Sequence, residues 1–132
     1  MMTLLWSNSL KIGIPEIDKQ HQQLIEQMGR LYSAIQKDRG ENEIKEILRF
    51  LNQYVIEHFG YEESCMLRYQ CPVAQKNSTK HKEFKANLRA IEEEFKTKGA
   101  SENLAIEINK NLLEWFANHI KSIDVSLKSC MS

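Results

Sequence analysis

Four runs of mostly apolar residues, spaced in steps of three and four, constrain this chain more than any other feature. The first is Ile17, His21, Leu24, Met28, Leu31 and Ile35. The second is Ile44, Leu48, Leu51, Val55, His58 and Glu62, with Cys65 and Met66 after it. The third is Asn77, His81, Phe84, Leu88, Ile91 and Phe95, and the fourth Ala105, Ile108, Leu112, Trp115, His119 and Ile123. Such steps keep residues on one face of an α-helix, and a stripe this wide is buried only against other helices. Between the runs, "DRGEN" around Gly40, "QCP" before Val73 and "TKGAS" around Gly99 read as turns, and Pro15 suits a first helical turn. Short connections make consecutive helices antiparallel neighbours. The expected fold is all-α: an up-down-up-down antiparallel four-helix bundle with an N-terminal extended arm, one domain over residues 1–132. No strand pattern competes with it.

Composition narrows the function classes. Hydrophobic residues are 42% and charged residues 27%, as in an ordinary globular protein. Lysine plus arginine equals aspartate plus glutamate at 18 each, so no net field favours nucleic acid or an anionic membrane. The longest uncharged stretch, Met1 to Leu10, is far short of a membrane span. No basic region precedes an apolar one as in an export leader. Cys65, Cys71 and Cys130 are odd in number and lack metal-like spacing, so they are expected as free thiols in a reducing compartment, the cytoplasm.

The polar residues inside the stripes carry the chemistry. His21, Asn77 and His81 fall early in the odd helices, whereas His58, Glu62 and His119 fall late in the even ones. In an antiparallel bundle those positions are one end of one core. Burying such groups without partners costs roughly 2–7 kcal/mol for each neutral one. Summed over six, that exceeds a typical net stability of about 5–15 kcal/mol. Something must satisfy them together, and imidazoles with carboxylates form a ligand set for iron, zinc, manganese or copper.

His58 and Glu62, like Asn77 and His81, are four residues apart and about 40° apart on the helix wheel. Asp124 lies five residues after His119, which is about 140° in an α-helix. A π-bulge closes that gap; without one, Asp124 approaches from another side or faces solvent. A lone core histidine is more often structural than a ligand, but here all four histidines of the chain fall on four helices at one level. Asp18 reads as a first-turn acid favoured by the helix dipole, and Glu63 as solvated.

With these residues in place, the chain resembles the hemerythrin family, particularly its single-domain bacterial members. The resemblance runs from Trp6 to Asp124 through "GIPEIDKQHQQL", "HFGYEE", the histidine of "NSTKH" and "WFANHIKSID". It implies an oxygen-bridged, non-haem centre of two iron ions inside the bundle. By that resemblance Glu62 and Asp124 bridge the irons, His21 and His58 hold the iron that binds dioxygen, and His81 and His119 hold the other. Leu24, Phe59, Trp115, Phe116 and Ile120 match the apolar oxygen pocket. The family's remaining histidine falls on position 77, which here is Asn77. An amide oxygen is a weaker donor than imidazole. Three outcomes follow: a water or anion takes the position, Asn77 binds weakly through its oxygen, or one metal alone assembles.

The function implied is reversible dioxygen binding for carriage, storage or delivery. The alternative is an oxygen or redox sensor that signals to an output domain or partner, which an open position at Asn77 favours through faster autoxidation. A ferritin-like di-iron enzyme ranks low, since those sites use Glu-x-x-His pairs and this sequence has none.

Overall fold

Each stripe is the buried face of one helix in the computed structural model, which describes residues 6–37 and 40–131. Helix α1 spans Pro15–Lys37, α2 Glu41–Arg68 and α3 Ala74–Lys98. Helix α4 runs over 102–131 as one helical path with two kinds of turn. Its α-helical stretches, Glu102–Ile108, Trp115–His119 and Val125–Met131, are separated by π-helical Asn109–Glu114 and Ile120–Asp124. Among the described residues there is no strand. None of their helices is long and apolar enough to cross a membrane.

Cross-helix contacts set the antiparallel order. Tyr61 and Tyr54 on α2 donate to Glu16 and Gln23 on α1, so one helix ascends as the other descends. Asn52 on α2 donates to Glu92 on α3 at 2.7 Å, while Glu63, further along α2, meets His81, earlier on α3. Between α3 and α4, Trp115 donates to Glu83, Asn87 to the carbonyl of Asn111, and Asn103 to Glu94. Helix α4 closes the ring against α1. The all-α bundle expected from the stripes is what forms.

The expected arm is described from Trp6 onward and contains a single 3-10 turn, Asn8–Leu10; residues 1–5 lie outside the described residues. Buried Leu10 and Ile12 hold it to the core. Asp18 ties it to α1, its carboxylate accepting from the backbone N–H of Ile12 at 2.7 Å and of Gly13 at 3.1 Å. Gly13 has φ +93°, a backbone conformation that calls for glycine; a Cβ there would meet only the far end of the Lys128 side chain, which can move aside. Of the turn "DRGEN", Asp38 and Arg39 lie outside the described residues.

The cysteine expectation is corrected. Cys71 and Cys130 form a disulfide with a Cα–Cα separation of 5.7 Å, and only Cys65 is free and buried. The turn after α2 and the last turn of α4 meet at the same end of the bundle. A pairing across 59 residues leaves no trace in local spacing.

Candidate metal centre

The site occupies the bundle end that carries this disulfide. His21 and Glu62 are fully buried, as are Asn77, His81 and Asp124, and His58 and His119 nearly so. The Nε2 atoms of His21 and His58 lie 3.3 and 3.5 Å from Glu62 Oε2. On the other side, His81 Nε2 lies 3.1 Å from Glu62 Oε1 and 3.2 Å from His119 Nε2. Asp124 repeats the division: Oδ2 is 3.2 Å from His21 Nε2, and Oδ1 is 3.2 Å from His119 Nε2. Each carboxylate thus turns one oxygen to each pair of histidines. Two groups of donors result, His21–His58–Glu62 and Glu62–His81–His119–Asp124. Asn77 Oδ1 joins the second group, 2.9 Å from His119 Nε2.

The turn Ile120–Asp124 puts Asp124 there. A π-turn bonds residue i to i+5, so five residues bring the chain back to the same face. In an α-helix Asp124 would point about 140° from His119. Around the donors pack aromatic rings. Phe59 stacks on His81 at 3.7 Å between centroids, and Trp115 on His119 at 5.0 Å. Phe116 stands edge-on to His21 at 5.3 Å and to His58 at 6.2 Å.

Of the residues matched to the apolar pocket, Leu24, Phe59, Phe116 and Ile120 are buried. Trp115 is half-buried on the His119 side instead, its indole N–H donating to Glu83 at 2.8 Å. A surface cavity of about 200 Å³, lined by Lys80, Glu83, Trp115, His119 and Ser122, reaches the same side. Glu63 is not solvated as expected: its carboxylate lies 2.9 Å from His81 Nδ1. Gln20, which the stripes also missed, places Oε1 2.6 Å from His58 Nδ1.

These donors can hold metal. Neighbouring ligands on an octahedral ion with bonds of roughly 2.1 Å stand about 3 Å apart, and donor separations of 2.9–3.5 Å, within α2 and between helices, match that edge. The contacts are close without being hydrogen bonds in several cases. Both oxygens of Asp124 and Nε2 of His58 are buried without a hydrogen-bond partner. Lone pairs that converge on a point, rather than donors aimed at acceptors, are what a cation needs.

Electrostatics agree. Burial pulls His58 down to about 3, so it is a neutral donor. Burial acts likewise on His21 and His119, but the carboxylates of Asp124 and Glu62 outweigh it and raise each to about 9. Burial pushes Glu62 up, yet His119, His21 and His81 hold it well below the ordinary carboxylate range. Burial and the charge of Glu62 push Asp124 up. Without a metal, protons on two imidazoles balance the buried carboxylate charge, at the positions a cation would take over.

Comparison with known proteins follows the same outline. Residues 12–129 match the family described as the hemerythrin HHE cation binding domain. A bacteriohemerythrin of Pseudomonas aeruginosa is 32% identical over 126 residues, covering 94% of this chain and 78% of that protein. One from Stenotrophomonas maltophilia is 29% identical over 124 residues, again 94% and 78%. A hemerythrin-like protein of Naegleria gruberi is 29% identical over 127 residues, 96% of this chain and 92% of that one. No solved structure matches the chain.

Proposed function

The chain belongs to the hemerythrin family, and on that premise we propose that it holds two non-haem iron ions and binds dioxygen reversibly. The observation that carries the reading is the division of Glu62 and Asp124, each with one oxygen toward each histidine pair, as two bridging carboxylates require. His21 and His58 hold one ion; His81 and His119 hold the other. When bound, the irons supply the electrons that dioxygen takes up. The residues do the rest. Counting the shared carboxylates, the first position has four protein donors, which leaves room for dioxygen on that side. Buried Phe116 and Phe59 exclude water around it. The function is binding without turnover.

Asn77 bears on what the binding serves. Its oxygen faces the second position, which supports weak ligation by the amide in place of the histidine expected from the family resemblance. A weaker neutral donor, with a surface cavity reaching His119, makes that iron more open to exchange. These two features favour a second reading, in which oxidation of the centre is sensed by an output domain or partner protein. With either reading we propose a cytoplasmic location, in which dithiol reductants would tend to open Cys71–Cys130; alkylation of thiols at lysis tests this, and a fully paired Cys71–Cys130 would count against it.

The deciding experiment exposes anaerobic, ferrous protein to oxygen. An oxygenated spectrum that reverses under vacuum supports carriage, and immediate conversion to the oxidised form supports sensing. Folded protein that takes up no iron defeats both.

A further inference from the structure

Two of the four imidazoles are held from behind, and the two holders differ in charge. His81 Nδ1 meets the Glu63 carboxylate at 2.9 Å, and His58 Nδ1 meets the amide oxygen of Gln20 at 2.6 Å. Nδ1 of His21 and of His119 has no hydrogen-bond partner, so packing against Phe116 and Trp115 orients those rings. Each holder is the chain neighbour of a residue that points into the site. Gln20 precedes His21 on α1 and backs a histidine on α2; Glu63 follows Glu62 on α2 and backs a histidine on α3.

We propose that Glu63 is a positioning residue of the centre, orienting His81 and strengthening it as a donor at the position where Asn77 stands. The proposal rests on the di-iron reading above. An acceptor beside Nδ1 fixes the proton there, so Nε2 presents its lone pair to the site. That lone pair faces Glu62 Oε1 at 3.1 Å, an approach that a cation between them makes favourable. A carboxylate accepts the Nδ1–H bond more strongly than an amide does and makes the ring a better donor. The two positions are therefore unequal. The one with the charged holder has the weak amide at residue 77; the one with the neutral holder has no such donor. Glu63 offsets at long range what Asn77 lacks at short range. Its side chain is only 30% exposed, so its charge is not lost to solvent screening.

Removing this partner should cost ten- to a hundredfold in metal retention. The test loads full-length protein with iron and measures iron content, iron loss to a chelator, and reduction potential in E63A, E63Q and the control E57Q, an exposed charge on the same helix. E63A should lose one of two irons ten- to a hundredfold faster and leave the other at the parent rate. E63Q keeps an acceptor without the charge, and should release that iron at an intermediate rate with a raised reduction potential. E57Q should match the parent. E63Q indistinguishable from the parent in both rate and potential overturns the proposal, as does equal acceleration in E57Q. If E63A fails to fold, by helicity and melting, E63Q decides alone. A folded parent protein without iron overturns the di-iron reading together with this one, whereas two irons in the parent and unchanged E63 variants overturn this one alone.

Discussion

Opening Cys71–Cys130 should destabilise the bundle more than any single surface change. The crosslink closes a loop across 59 residues that contains α3 and most of α4, half of the bundle. In the chain-entropy account, a loop of that length restricts the unfolded chain by about 4 kcal/mol, and native disulfides typically contribute 2–4 kcal/mol. For a domain of this size each kcal/mol moves the melting temperature by roughly 3–4 °C, so reduction should lower it by about 10 °C. The assay compares melting of the parent and of C71S/C130S at equal metal content, with and without a dithiol reductant. The reductant should shift the parent to the variant's temperature and leave the variant unmoved. Cys65 is buried and unpaired, so it offers the reductant no second bond to cleave. Parent and variant melting within 2 °C of each other under oxidising conditions, with the 71–130 pair confirmed by mass spectrometry of unreduced peptides, would refute the reasoning.

Three other outcomes are expected. Asn77→His should place an imidazole at the second position and slow oxidation of the oxygenated protein several-fold in stopped-flow spectra; an unchanged rate would show that residue 77 does not control oxidation. Metal-stripped protein should lose several kcal/mol of stability between pH 6.5 and 9, because His21 and His119 are raised in the fold to about 9, and stability from a raised histidine is complete below the unfolded value and lost through the folded one. Urea midpoints measure this, and the metal-loaded form should stay flat because the metal replaces those protons; a rise toward pH 9 in stripped protein contradicts the assignment. Deleting Ser122, exposed within the π-turn, should return His119 and Asp124 to a four-residue spacing on one α-helical face. Metal content should then be kept; its loss would mean that the wider turn itself, and not merely the facing of Asp124, is required.

How far the sequence carried the site depends on which kind of periodicity each residue obeys. Six inward residues, His21, His58, Glu62, Asn77, His81 and His119, share the three-and-four spacing of the core and were legible with it. Asp124 breaks that spacing, and only a departure from α-helix brings it in; a five-residue gap after a buried histidine was the one hint. Glu63 sits about 100° round the helix from Glu62, which reads as solvent-facing in a one-helix projection. The projection fails because His81 carries a second nitrogen outward between α2 and α3, to meet whatever flanks the inward stripe. Gln20 escaped for the same reason. The disulfide had no periodicity to obey, since its halves meet only through the fold.

That distinction bears on what evolves freely in such a bundle. The inward stripe serves stability and chemistry with the same residues, so Glu62 cannot be exchanged without unbalancing the three imidazoles of His119, His21 and His81 around it. The flanking positions are different. Gln20 and Glu63 touch the site only through a ring nitrogen and lie at the solvent margin, where substitution costs little in packing. They can change the charge behind a histidine without changing the histidine. On the proposed di-iron reading, a neutral holder on one side and an anionic one on the other is therefore a means of setting the two metal positions apart.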